Sequence, residues 1–68
     1  MQTWDRITFN PNVMGGKPCI RGMRVTVGMI VGLVASGRET REILDAYPYL
    51  ETEDIRQALM FAAARGEG

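Results

Sequence analysis

Proton-transfer chemistry has few carriers in this chain. There is no histidine, so a general base would have to be one of eight carboxylates or the single lysine, Lys17. The carboxylates fall where helices should begin or face water, positions that serve capping and solubility. Catalysis is therefore not expected. Cys19 is the only cysteine, which rules out an intrachain disulfide, and one thiolate without histidine cannot build a tetrahedral zinc site. No metal or cofactor is expected. Beside Pro18 and Ile20 the thiol suits a buried, inert position; the neighbouring Lys17 and Arg21 could instead lower its pKa and make it redox-sensitive. Gly15-Gly16-Lys17 hints at a phosphate loop, but the Walker spacing and its strand–loop–helix frame are missing.

Binding has more candidates. Lys17, Arg21 and Arg24 lie on extended, glycine-flanked backbone that could run along phosphates or enter a groove as a β-ribbon. An ordinary solvated hairpin accounts for the same residues. If two copies bound together these three positions would become six, and affinity for DNA would fall with salt at a log–log slope near −5 by the rule of about 0.9 per contact. Arg56, Gln57 and Met60 should point outward from the last helix, with Arg56 and Gln57 as candidate base readers. That helix, however, opens with Glu51, Glu53 and Asp54, which would face phosphates unfavourably. Trp4 is either a packing lid on the core or an anchor for a partner.

The elements that must position these residues can be read from period and punctuation. Ile7-Thr8-Phe9 is β-prone and is stopped by Asn10-Pro11-Asn12. Cys19-Ile20-Arg21 and Met23-Arg24-Val25 form two short extended pieces around a tight turn at Gly22. Together they predict an arm with little core of its own. Thr26 should cap a helix from Val27 to about Ser36, closed by Gly37. Val27, Ile30, Val31 and Val34 supply one apolar side of it and Met29 and Leu33 a second, while Gly28, Gly32 and Ser36 line a third with small residues. A second helix is expected over Thr40 to Ala46, with Ile43, Leu44 and Tyr47 inward and Pro48 as its stop. A third should run from about Thr52 to Ala64, with Ile55, Leu59 and Ala62 on one stripe, Ala58 beside it, and Gly66 beyond its end. The fold class is mainly α: a three-helix, helix-turn-helix-like bundle over residues 26–65, preceded by a short β-containing N-terminal arm over residues 1–25, all in a single domain spanning 1–68.

Size and charge bound what such a domain can do. A chain of 68 residues buries only about 60% of the surface its unfolded form exposes, so a second copy of itself is an expected remedy for a thin stability margin. An uncharged first helix, apolar on two sides and small on the third, points the same way, with Gly28 and Gly32 as candidate contacts for a partner backbone. Eight basic and eight acidic side chains cancel, but unevenly. Residues 1–26 carry four basic side chains against Asp5, residues 27–37 carry none, and residues 38–68 carry four basic against seven acidic. The basic front and acidic back imply separate contact surfaces, or head-to-tail matching between copies. The N-terminus lacks a signal-peptide pattern and Val25 to Ala35 is about half a membrane span; the expectation is a cytoplasmic protein that makes no membrane contact.

Ile7-x-x-Asn10-Pro11-x-Val13-x-Gly15-Gly16-Lys17-Pro18-Cys19-Ile20-Arg21-Gly22, then Arg24-x-x-Val27, resembles the small bacterial proteins gathered as domain-of-unknown-function family 433. The second half agrees through Glu42-Ile43-Leu44, Tyr47-Pro48-x-Leu50, Glu53-Asp54-Ile55 and Ala58-Leu59, so the resemblance covers roughly residues 6–64. It implies a likeness to helix-turn-helix DNA-binding domains and to the antitoxin half of toxin–antitoxin pairs, whose toxin is typically a PIN-like nuclease. The partners it implies are operator DNA and such a toxin. On that reading the segment that orders on the toxin is residues 1–6 with Trp4. The alternative is a protein-interaction module without DNA binding. The chain departs from the family pattern at Met23 (usually threonine), at Thr26 (usually proline), and at Glu39-Thr40 and Glu51-Thr52, which replace Ser/Thr-Pro pairs; capping is expected to slide by one residue, to Thr40 and Thr52.

Overall fold

The computed structural model describes residues 4–65. Two short strands, β1 (Ile7–Thr8) and β2 (Cys19–Ile20), precede three helices, α1 (Val27–Ala35), α2 (Thr40–Ala46) and α3 (Thr52–Ala64). The strands pair antiparallel, Ile7 opposite Ile20 and Thr8 opposite Cys19, and Cys19 also bridges to Thr26. The result is a mainly helical bundle with an N-terminal hairpin, as the sequence predicts.

The turn after β2 is tight because its two central residues, Arg21 (φ 48°) and Gly22 (φ 73°), both take the left-handed conformation. Met23 then donates its backbone N–H to the Ile20 carbonyl at 2.8 Å, closing a β-turn, and Ile20 donates to the Val25 carbonyl at 2.9 Å beyond it. Glycine suits this backbone; arginine at positive φ does not, and something outside the turn must hold it.

Thr26 caps α1 as expected, its Oγ1 accepting from the Met29 N–H at 3.0 Å. The helix ends in a Schellman motif: Gly37 (φ 94°) donates to Val34 and Arg38 to Leu33. Capping of the other two helices does not slide to the threonines. Glu39 and Glu51 are the N-caps, and Thr40 and Thr52 are the first helical residues. Each glutamate's backbone N–H is taken by the acid three residues on, Glu39 by Glu42 at 3.0 Å and Glu51 by Asp54 at 2.9 Å. A carboxylate at that third position makes a glutamate cap workable.

The core is Ile7, Ile20, Val25, Val27, Ile30, Ile43, Leu50, Ile55, Ala58, Phe61 and Ala62, with α1 packed chiefly on α3. Here the expectation for the arm is corrected. Ile7, Cys19, Ile20 and Val25 are all buried, Ile20 completely, so the arm forms one wall of the core. Its apolar residues stand singly or in pairs between glycines and cations, which gives periodicity nothing to register. Phe61, outside the expected stripe, is likewise buried, while Leu59 is only half-buried.

Candidate functional site

Most of the long-range polar contacts gather where the arm crosses the start of α3. Asp54, on the first turn of α3, has no exposed side-chain surface. Two arginines from different parts of the arm reach it. Arg21 grips both oxygens, with Nε 3.1 Å from Oδ1 and Nη2 2.8 Å from Oδ2, and Nη2 also donates to the Tyr49 carbonyl at 2.7 Å. Arg6 Nη1 reaches Oδ1 at 3.0 Å and pairs with Glu51 as well. The Glu51 N–H completes the set on Oδ2.

Burial opposes ionisation of Asp54, yet the hydrogen bonds from Arg21, Glu51 and Arg6 outweigh it and hold the carboxyl below the usual range. Glu51 and Asp54 in turn raise the pKa of Arg6, and Asp54 raises that of Arg21. The fork, with the bond from the Arg21 N–H to the Arg6 carbonyl at 2.9 Å, fastens Arg21 from outside its turn. The arm is tied a second time through Gln57, which is buried. Its Nε2 donates to Asp5 at 2.7 Å and to Glu53 at 3.0 Å, and its Oε1 accepts the Arg6 N–H at 3.1 Å. Trp4 then packs edge-on against Phe61, ring centroids 5.5 Å apart.

This arrangement redistributes the residues that sequence reasoning singled out. Gln57 is an internal strut. Arg56 closes a two-pronged pair with Glu53 at 2.7 and 2.5 Å and leans on the Met60 thioether; Arg56 and Gln57 together drive the Glu53 pKa down to about 2. Both candidate base readers of α3 are thus engaged within the helix or with the arm. Arg21 is withdrawn from the basic cluster. Lys17 and Arg24 remain exposed and, among the described residues, make no ion pair.

Trp4 takes the lid position, half-buried against the core. Of the segment expected to order on a toxin, residues 1–3 lie outside the described residues, as does Gly66. Gly28 and Gly32 are exposed on α1. The Cys19 thiol is buried and directed at the Lys17 carbonyl, 3.2 Å away. Met14–Gly16 forms a single 3-10 turn that leads into β2, so the Gly-Gly-Lys segment opens no helix. Asp54 was missed as a buried residue; an acid three positions after a glutamate cap reads as an ordinary capping side chain, and only the two arginines far upstream distinguish it.

A sequence profile for a protein family of unknown function, DUF433, matches residues 7–62. The chain belongs to the DUF433 family. It is similar to the uncharacterized protein y4eO of Sinorhizobium fredii (strain NBRC 101917 / NGR234), with 40% identity over 58 residues that cover 85% of this chain and 26% of that protein. The crystal structure of a DUF433 member from Anabaena variabilis ATCC 29413 superposes with a TM-score of 0.83 at 32% identity, covering 88% of this chain and 59% of that one. This DUF433 chain therefore spans about a quarter of the curated relative and somewhat over half of the solved one. Among its described residues no helix is long and apolar enough to cross a membrane, and no three His, Cys, Asp or Glu side chains are placed to hold a metal ion.

Proposed function

We propose that this DUF433 domain acts by binding a protein partner, as the antitoxin-like half of a pair, and not by catalysis. The observation that carries this reading is the engagement of Arg56 and Gln57 with Glu53 and Asp5. It leaves Gln57 with both amide donors used and commits Arg56 to Glu53, and it favours the protein-interaction reading over sequence-specific DNA recognition by that helix. The absence of histidine and the neutralisation of the buried Asp54 by two arginines support a binding role over proton transfer. A PIN-like nuclease is the partner to which the family resemblance points. Co-expression with the product of the adjacent gene, followed by purification through a tag on one chain, tests the proposal. A stoichiometric complex is the expected result, and separate elution of the two chains would overturn it.

A second reading, contact with operator DNA through the hairpin, is favoured by the exposure of Lys17 and Arg24, which make no ion pair among the described residues. It predicts salt-sensitive binding with little sequence preference, since phosphate contacts carry no base information.

A further inference from the structure

Residues 4–9 are held in place from across the loop that follows them. Arg6 pairs with Asp54 and Glu51, and its carbonyl accepts the Arg21 N–H at 2.9 Å. Gln57 binds Asp5 and the Arg6 N–H, and Thr8 Oγ1 accepts the Gly22 N–H at 2.8 Å. Ile7 lies opposite Ile20, while Trp4 and Phe9 pack on Phe61. Each of these partners follows residue 18 in the chain.

The loop between, residues 10–16, is built differently. None of its residues is buried. The Asn12 N–H goes to Asn10 Oδ1 at 2.9 Å, the Val13 N–H to the Asn10 carbonyl at 2.9 Å and the Gly16 N–H to the Val13 carbonyl at 3.0 Å. These bonds close within the loop and would not tie it to the bundle. Met14, Gly15 and Gly16 are left-handed in succession, and Met14, at φ 50°, carries a Cβ. Such a residue costs roughly five- to thirtyfold in population, a cost that straightening the loop removes. A short connection under strain favours exchange of the segment it tethers between copies.

A released segment needs a receiver. Lifting residues 4–9 would bare Ile20 and Phe61, now 0% and 3% exposed, and would take Arg6 from the buried Asp54. A second copy offers the same seat with the same partners. The reach suffices: residues 10–16 straightened span about 23 Å at ~3.3 Å per residue, against shorter dimensions of 23 and 19 Å for the chain.

We propose that two copies of the chain exchange the segment before this loop, so that residues 4–9 of each close the core of the other. Every contact of the segment is remade, with Arg6 of one copy on Asp54 of the second and Asp5 on its Gln57, while the strained loop becomes an extended hinge. This self-association is separate from the partner binding proposed above and does not depend on it.

The register supplies the test. Thr8→Cys sets a thiol opposite the native Cys19, its Cα partner on β2. In a closed chain the two thiols belong to one molecule; in an exchanged pair they belong to two. The variant is loosened in mild urea at high concentration, returned to buffer, separated by size exclusion and oxidised with diamide, with the wild type and its lone Cys19 as control. On a non-reducing denaturing gel the dimer fraction should run as a covalent dimer and the monomer fraction as a monomer. Absence of a dimer, or a dimer fraction that runs as monomer with its thiols consumed, would overturn the proposal. Two loop variants decide it independently should the thiols fail to pair. Met14→Gly relieves the closed loop and should lower the dimer association constant about tenfold. Met14→Pro cannot take a positive φ and should raise it at least as much. Equal association constants in both variants and the wild type would overturn the exchange, since a dimer joined face to face has no reason to sense residue 14.

Discussion

Asp54 shows how one side chain can join two parts of a small protein. Its carboxylate receives Arg21 through two donors and Arg6 through a third, all from residues more than thirty positions upstream. Removing one partner of a buried pair typically costs 3–5 kcal/mol. Because Arg6 and Arg21 keep 26% and 37% of their side-chain surface in water, Asp54→Ala should fall at the low end, about 3 kcal/mol in urea titration. Arg21→Lys should recover only part of an Arg21→Ala loss, since an ammonium cannot reproduce the planar grip on both oxygens. The pH dependence follows from the depressed Asp54 pKa. Its contribution is fully present above the unfolded-state value of about 3.9 and is lost as pH falls through the lower folded-state value. Wild type should therefore lose stability steeply below about pH 4, while Asp54→Asn, weaker at neutral pH, should show a flatter acid limb.

At the scale of elements, the helices and the β-character of the arm were legible, and the arm's place in the core was not. Thr26, Gly37 and Pro48 bound their elements where local rules place them, because caps and breakers act within a few residues. The arm's role depends on contacts such as Arg6 to Asp54 and Asp5 to Gln57, between residues some fifty apart, and no spacing rule reaches that far. The same distance hid the fate of the candidate site: Arg21 and Gln57 read as outward-facing until their partners are known. Glycines separate local from distant causes experimentally. Gly32 is helical with open space around it, so Gly32→Ala should stabilise the domain by about 0.5–1 kcal/mol, seen as a Tm rise of a few degrees. Gly22 also has open space but sits at φ 73°, so Gly22→Ala should lower stability by roughly 1 kcal/mol. Opposite signs at two equally roomy positions would place the difference in the backbone alone.

For the whole molecule, the uneven charge along the chain resolves in an unexpected direction. A basic front and an acidic back invite matching between copies, but the match is made inside one chain, where Arg6 and Arg21 fold onto Glu51 and Asp54. This changes the expected behaviour towards DNA. The three candidate phosphate contacts reduce to two that make no ion pair among the described residues, Lys17 and Arg24, because Arg21 is held at the bundle. With about 0.9 counterions released per phosphate contact, a chain binding alone should show a log–log salt slope near −2, and a pair of chains near −4. Fluorescence anisotropy on a promoter duplex at several salt concentrations measures this. Lys17→Ala with Arg24→Ala should bring the slope close to zero without unfolding the protein. Arg21→Ala should leave the slope of the folded fraction unchanged while lowering the urea midpoint. A slope that flattens by one unit per chain in Arg21→Ala, at unchanged stability, would mean that Arg21 leaves Asp54 for phosphate. The arm would then open on DNA, and the tie across α3 would be a switch instead of a strut.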